Sequence, residues 1–185
     1  MSSFGDETDL GRFDAIVYDL DGTLVRLTVD WAQVTADVLD VYETAGIDAS
    51  DRDLWQLSEE ADEYGIEREV EAVIADHERT GARTSRELQL TAELRSFSGP
   101  TGVCSLNCED ACRIALETHD LDEHVDTIVG RDTVETRKPD PLPLQRAIEA
   151  IGAEQSSTLF VGDSRSDETT ADRAGVSFRY APGAP

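Results

Sequence analysis

Short apolar runs that alternate with helix-length segments constrain the fold of this chain more than any other feature of its sequence. The first run, Ala15–Tyr18, is wholly apolar and too short for a helix, so it suits a buried strand. Similar runs recur at 102–106, 127–129, 158–161 and 176–180. Helical patterns lie between them at 86–95, 108–118, 141–151 and 167–174. The alternation predicts an α/β fold, with a doubly wound parallel five-stranded sheet that carries helices on both faces.

The segment 30–83 interrupts this alternation. Its apolar residues follow a helical spacing, and no strand pattern lies between them. The helical stretches are 31–44, 51–64 and 66–80. We therefore predict a small helical cap, residues 30–83, inserted after the first strand, with residues 13–29 and 84–185 forming the α/β core. Residues 1–12 are acidic and poor in apolar side chains, which is typical of a disordered leader.

Most aromatic and cysteine side chains are expected to pack. Trp31 and Trp55 fall at helical spacing in the insert, where they either pack in its core, which we favour, or line the entrance to a ligand site. The cysteines are Cys104, Cys108 and Cys112. An odd number at this spacing does not form a disulfide framework, and no paired histidines complete a zinc site. We expect these three side chains to be small packing residues beside the sheet.

The net charge restricts the partners of the protein. Lys and Arg number 16 against 40 Asp and Glu, which gives a formal charge of -24 and repels nucleic acid and anionic membrane surfaces. The acidic residues are spread along the whole chain, a pattern that indicates either a halophilic protein from a salt-rich cytosol or an ordinary acidic protein. No run is long enough to cross a bilayer and no signal peptide is evident, so a cytoplasmic location is expected.

The first strand leads directly into Asp19, Asp21, Gly22 and Thr23. Two carboxylates two residues apart, just past a parallel strand, lie where open α/β sheets bind ligands. Gly22 allows the backbone to turn sharply, so that an amide can approach an anion.

Three later segments carry matching polar groups. Ser105 ends the second strand, where its hydroxyl can donate to a phosphate oxygen. Lys138, the only lysine in the chain, precedes a helix that starts with proline; retention of a compact ammonium in so arginine-rich a chain suggests a tight pocket. Asp163 and Asp167 end another strand, four residues apart at the start of the next helix.

These four segments, in this order, resemble the haloacid dehalogenase-like hydrolase superfamily, and most closely its phosphoglycolate phosphatase-like group. The resemblance runs from Phe13 to about Tyr180 and implies a Rossmann-like core with a Mg²⁺ cofactor. It also implies a role for each polar residue. Asp19 is the nucleophile, Asp21 the general acid and base, and Ser105, Lys138 and Gly22 bind the substrate phosphate. Asp19, Asp21 and Asp163 hold the metal, supported by Asp167 and Thr23 without direct contact.

The implied activity is hydrolysis of a small phosphorylated metabolite by a monomer or homodimer, with phosphoglycolate as the first candidate substrate. A dehalogenase is disfavoured because that reaction has no use for the second acid, Asp21. Two alternatives stay open: a phosphomutase that returns the phosphoryl group to a sugar, and a catalytically silent module that only binds a phosphometabolite. The sequence does not decide whether Arg26 or Asn107 contacts the substrate.

Overall fold

A parallel sheet forms the centre of residues 10–184, the part of the chain that the computed structural model describes. The strands are β1 (Ala15–Tyr18), β2 (Val25–Arg26), β3 (Arg86–Glu87), β4 (Thr101–Cys104), β5 (Thr127–Val129), β6 (Thr158–Gly162) and β7 (Ser177–Tyr180). The helices are α1 (Trp31–Thr44), α2 (Leu54–Glu60), α3 (Glu67–Arg83), α4 (Thr91–Ser96), α5 (Glu109–Thr118), α6 (Leu142–Ala150) and α7 (Arg165–Ala174). The central sheet has five parallel strands in the order β5-β4-β1-β6-β7, which confirms the predicted fold class.

Alternate side chains of β1 enter the two cores on either side of the sheet. Ile16 and Tyr18 belong to one apolar cluster, which includes the buried face of α5, and Val17 belongs to the other, with α6 and α7. All of β1 and β6 is buried. Each large aliphatic side chain removed from water contributes about 1.5–3 kcal/mol, so the apolar runs stabilise the sheet at its centre.

The insert between β2 and β3 has an apolar core of its own. Val34, Val38 and Tyr42 of α1 pack against Leu57 of α2 and Ile74 of α3. The Tyr42 hydroxyl donates to the backbone carbonyl of Leu57 at 2.6 Å, so its polar end is satisfied inside this core. The helical prediction for 30–83 is therefore matched by three α-helices, and a 3-10 turn at Ala61–Tyr64 follows α2.

Two expectations about these segments are wrong. The predicted helix at 86–95 starts instead as β3, which pairs antiparallel with β2, and only Thr91–Ser96 is helical. The backbone of Leu88 also donates to the carbonyl of Leu24 at 2.9 Å, so pairing with the segment after β1 replaces the first helical turn. Trp31 and Trp55 are 39% and 54% exposed, because other residues of α1 and α2 form the buried faces of these helices.

The remaining expectations concern cysteines, chain ends and membranes. Cys104, Cys108 and Cys112 are buried and free, in keeping with a packing role. Of the predicted leader, residues 1–9 lie outside the described part of the chain, and Leu10–Arg12 forms a 3-10 turn. Within residues 10–184, no helix has both the length and the apolar composition needed to cross a membrane.

Candidate active site

The polar residues singled out in the sequence meet at the carboxyl ends of three adjacent strands. Asp19 follows β1, Ser105 follows β4 and Asp163 follows β6, and β1 lies between the other two in the sheet. Because all three strands run in the same direction, their carboxyl ends form one edge of the sheet. This edge is where open α/β sheets place their ligands.

A buried ammonium group joins two carboxylates at this edge. Nζ of Lys138 donates to Oδ1 of Asp19 at 2.8 Å, to Oδ1 of Asp167 at 2.5 Å and to the backbone carbonyl of Cys104 at 3.1 Å. Burial alone lowers the pKa of Lys138, but the charges of Asp19 and Asp167 outweigh it, and the pKa of the lysine is raised. All three donors of a permanently charged ammonium are therefore used.

The start of α7 holds Asp167 in place. Ser164 is the N-cap: its hydroxyl accepts from the Asp167 backbone amide at 3.2 Å and donates to Oδ2 of Asp167 at 2.6 Å. The Ser164 amide donates to the same Oδ2 at 3.0 Å. With Oδ2 bound to the cap and Oδ1 bound to Lys138, Asp167 fixes the position of the ammonium. Asp167 therefore differs from Asp163, four residues earlier, because both of its carboxylate oxygens are bound to Lys138 or to the helix cap.

The acid cluster suits a hard divalent cation. Asp19, Asp163 and Asp167 each place a carboxylate oxygen within 4.8 Å of the others. Burial raises the pKa of Asp19 and of Asp163, and the charge of Asp167 adds to both shifts, although Lys138 opposes them. Three carboxylates facing one ammonium leave an excess of negative charge. Oxygen donors with such an excess fit Mg²⁺, which prefers carboxylate, carbonyl and water oxygens.

The turn after β1 brings Asp21, Gly22 and Thr23 to the same place. Gly22 has φ +90°, and a Cβ there would lie 1.9 Å from Oδ2 of Asp163, so only glycine fits. Asp21 accepts from the Leu27 amide at 2.9 Å, and burial raises the pKa of its carboxyl group. The Thr23 hydroxyl donates to Oδ2 of Asp19 at 3.4 Å, a long contact. The turn therefore holds Asp19 and Asp21 near each other, and its glycine lets the backbone pass close to Asp163.

Arg26 approaches these acids without binding them closely. Its guanidinium lies 3.8 Å from Oδ1 of Asp21 and 3.9 Å from Oδ2 of Asp163, and its side chain is 49% exposed. With Gly22 and Thr23 it also lines a cavity of about 440 Å³ that borders Asp163. A second cavity, of about 670 Å³, lies between the insert and the core. Both spaces are large enough for a small metabolite.

The loop after β4 presents Ser105 beside these groups. The Ser105 amide donates to the carbonyl of Val129 at 2.9 Å, and its side chain is bonded to Asn107. Lys138 also contacts this loop through the carbonyl of Cys104, the residue before Ser105. The carbonyl that binds the ammonium thus directly precedes the residue that carries the hydroxyl, and an ammonium and a hydroxyl are both donors that can hold a phosphoryl group.

Two residues near this loop were missed in the sequence. Glu78 of α3 is 1% exposed, and its carboxylate is paired with Arg131, which follows β5. A signal for Glu78 was present: it continues the spacing of four set by the buried residues Val70 and Ile74 and continued by Ala82. An acid in line with three buried apolar residues indicates a buried carboxylate that needs a partner.

Comparisons with known proteins find relatives that are named as phosphatases. The phosphoglycolate phosphatase of Rhodospirillum rubrum is 31% identical over an alignment 187 positions long, which covers 88% of this chain and 76% of that protein. The pyrophosphatase PpaX of Bacillus cereus is 25% identical over 175 residues, with 89% and 81% covered. A haloacid dehalogenase-superfamily hydrolase of Geobacter sulfurreducens shares the fold, with a TM-score of 0.62, 24% identity, and 92% and 91% of the two chains covered.

A sequence model described as haloacid dehalogenase-like hydrolase matches residues 16–181, from β1 to just beyond β7. The match includes every strand whose end carries a residue of the candidate site. The resemblance predicted from the four polar segments is confirmed, and the chain belongs to the haloacid dehalogenase-like hydrolases.

Proposed function

We propose that the protein is a magnesium-dependent phosphatase that hydrolyses a phosphate monoester of a small metabolite through an aspartyl phosphate on Asp19. Its membership of the phosphatase class follows from the family and from relatives such as the phosphatase that is 31% identical to this chain. The observation that carries the mechanism is the contact of Asp19 with Lys138, at 2.8 Å, inside a cluster of three carboxylates.

Charge neutralisation is the first requirement of such a reaction. A phosphate dianion repels an attacking carboxylate, and two unit charges 4 Å apart cost about 4 kcal/mol at an effective dielectric constant of 20. Lys138 supplies one positive charge beside Asp19. A bound Mg²⁺ would supply more positive charge for the phosphoryl oxygens, held by Asp19, Asp163 and the backbone of Asp21.

The chemical steps fall to Asp19 and Asp21. The ionised carboxylate of Asp19 attacks phosphorus in line with the ester bond, and the protonated carboxyl of Asp21 gives its proton to the leaving oxygen. The alcohol departs and Asp19 carries the phosphoryl group. Asp21, now ionised, takes a proton from a water molecule that attacks the same phosphorus, which releases inorganic phosphate and restores both residues. The raised pKa of Asp21, caused mainly by burial, favours the proton that the first step needs.

The remaining residues bind and orient the substrate. When phosphate binds, the Ser105 hydroxyl turns its one proton from Asn107 to a phosphoryl oxygen, and Lys138 exchanges one of its three protein acceptors for another. The Gly22 amide already donates to the carbonyl of Val25 at 2.7 Å, so Gly22 serves the phosphate site by shaping the turn. Asp167 holds Lys138, and Thr23 bonds to Asp19, without either touching the metal. Residues 30–83 form the cap over this site, and the shape of the cap selects the substrate. Phosphoglycolate, a phosphate monoester, is the first candidate, because a relative named for it is similar to this chain. Inorganic pyrophosphate is a phosphoanhydride, whose leaving group in the same steps would be phosphate instead of an alcohol; it is the second candidate, because a pyrophosphatase is also similar to this chain.

The test compares two Asp→Asn substitutions, one directly after β1 and one directly before it. Asp19→Asn removes the nucleophile, and Asp14→Asn changes an exposed aspartate just before β1. Phosphate release from an aryl phosphate with Mg²⁺ should disappear in Asp19→Asn and stay unchanged in Asp14→Asn. Both variants should show the circular dichroism of the native protein. Appreciable turnover by folded Asp19→Asn would mean that another group attacks phosphorus.

The same assay separates the two alternatives. A phosphomutase would release little phosphate unless a sugar bisphosphate were present, and a silent binding module would release none. Turnover of phosphoglycolate, pyrophosphate and sugar phosphates without an added bisphosphate should identify a phosphatase. Removal of Mg²⁺ by a chelator should stop the reaction, and added Mg²⁺ should restore it.

A further inference from the structure

A buried ion pair joins the helical insert to the segment after β5, beside the loop that follows β4. Glu78 of α3 is 1% exposed, and the Arg131 side chain is 6% exposed. The contact is bidentate: Oε1 of Glu78 accepts from Nη1 of Arg131 at 2.7 Å, and Oε2 accepts from Nη2 at 3.1 Å. Taking two charges out of water opposes folding, so a buried pair adds little net stability compared with apolar residues. Stability alone therefore does not explain this pair, and its contacts with neighbouring residues indicate that it positions them.

Both members of the pair bind the loop directly. The carboxylate of Glu78 accepts from Nδ2 of Asn107 at 3.2 Å and from the Cys108 amide at 3.0 Å. Arg131 donates from Nη1 to the carbonyl of Leu106 at 2.6 Å, and its backbone amide donates to the carbonyl of Asn107 at 2.9 Å. Three consecutive residues after Ser105 are thus held from outside the loop.

Asn107 carries this constraint to Ser105. A carboxylate only accepts hydrogen bonds, so Glu78 must face the amide NH₂ of Asn107, which turns the amide oxygen the other way. That oxygen accepts from the Ser105 hydroxyl at 3.1 Å, and the Asn107 backbone amide donates to the Ser105 hydroxyl oxygen at 3.2 Å. The position of the Ser105 side chain is therefore set by an amide whose orientation Glu78 fixes.

We propose that Glu78 is a positioning residue for phosphate binding. Together with Arg131 it holds the segment Ser105–Cys108 from the side of the insert, and through Asn107 it keeps the Ser105 hydroxyl where the phosphoryl group binds. The inference rests on the phosphatase function proposed above. It gives α3 a second task besides covering the site, because one helix of the insert forms part of the support of the phosphate-binding loop.

The first experiment compares Glu78→Gln with Glu71→Gln. Glu71 also pairs with Arg131, at 3.0 Å from Nε, but its side chain is 34% exposed and it makes none of the loop contacts described for Glu78. Binding of inorganic phosphate in the presence of Mg²⁺ is measured by titration calorimetry, and KM and kcat are measured with an aryl phosphate. Glu78→Gln should weaken phosphate binding and raise KM by about tenfold, the size of one lost charged hydrogen bond, and Glu71→Gln should stay within about twofold.

A second variant separates positioning from folding. Asn107→Ala leaves the ion pair in place and removes only the link to Ser105, so it should weaken phosphate binding to a similar degree. The double variant with Glu78→Gln should be no weaker than about the worse single variant, because both act through one link. If Glu78→Gln does not fold, Asn107→Ala alone decides.

The outcomes distinguish this inference from the proposed function. Normal phosphate binding by folded Glu78→Gln or by Asn107→Ala, in a protein that turns over substrate, overturns the positioning role alone. Equal losses in Glu78→Gln and Glu71→Gln also overturn it, since they would reflect the charge of Arg131 instead of the loop contacts. A native protein that neither binds phosphate nor releases it overturns the proposed function as well.

Discussion

Replacing Lys138 by methionine tests how the buried charge cluster is balanced. The lysine is 5% exposed and bonds to Asp19 and Asp167, which are 5% and 1% exposed. Lys138→Met keeps most of the apolar stem and leaves the two carboxylates without their ammonium. Removing one partner of a buried ion pair costs about 3–5 kcal/mol. In a domain of this size each kcal/mol lowers Tm by roughly 2–4 °C, so a fall of roughly 6–20 °C is expected at pH 7.

The loss of stability in Lys138→Met should also depend on pH and on the charge of Asp167. Burial raises the pKa of Asp19 and Lys138 opposes that rise, so without the ammonium Asp19 takes up a proton more readily and the destabilisation should shrink as pH falls from 7 to 5. In the double variant Lys138→Met/Asp167→Asn one buried charge is removed as well, and part of the stability should return. Urea unfolding followed by circular dichroism gives the free energies of unfolding of the four proteins in this cycle.

Arg146→Met serves as the matched control. Arg146 forms a 2.8 Å ion pair with Glu149 on α6, and its side chain is 53% exposed. Its loss should change the free energy of unfolding by less than about 1 kcal/mol. A Lys138→Met variant as stable as the control, or one whose instability is unchanged at pH 5, would refute the argument that the ammonium balances two buried carboxylates.

Four further results are expected. Lys138→Arg should lower kcat strongly although it keeps the charge, because a guanidinium does not fit where a buried ammonium meets three acceptors; a normal rate would contradict the tight pocket. Asp21→Asn should lower kcat by about 10²–10⁴-fold with Mg²⁺ binding retained, as measured by calorimetry. Hydrogen bonding from Arg95 lowers the pKa of Glu87 to about 2, so Glu87→Gln should be less stable than the native protein at neutral pH, and the difference should fade as pH drops from about 4.5 towards 2. In 1 M salt the Debye length is about 3 Å, so thermal unfolding of this highly acidic chain should move to higher temperature than in dilute buffer; no shift would remove the halophilic interpretation.

The sheet could be predicted because its signal is local. Each central strand is a short apolar run bounded by turn residues, and burial on both faces removes any need for alternation. In the helices predicted at 108–118 and 141–151, the buried residues recur every four positions. The observed helices begin and end within one residue of the predicted bounds. The meeting of the polar residues that follow these strands could then be predicted from topology, since parallel strands end at one edge of the sheet.

The differences arise where distant contacts override local pattern. Residues 86–95 have helical spacing when taken alone. The backbone of β3, at the start of this segment, nevertheless pairs with β2, which lies some sixty positions earlier. Trp31 and Trp55 satisfy the helical period as well, yet they fall on the faces of α1 and α2 that the insert leaves to solvent. Glu78 follows the buried period, and its partner Arg131 is set by how the insert meets the core, which no local pattern encodes.

The order of the strands makes catalysis a reporter of complete folding. Asp19 directly follows the central strand, β1, whose neighbours β4 and β6 come from points about 85 and 145 residues further along the chain, as the pairing of Ile16 with Thr101 and Leu159 shows. These are among the most non-local contacts in the molecule, and contacts of this kind form slowly because long loops must close first. A nascent or nicked chain that lacks the last third has the nucleophile but not Asp163 or Asp167. Enzymatic rate during refolding should therefore rise only with the final cooperative phase, after helical circular dichroism has begun to return.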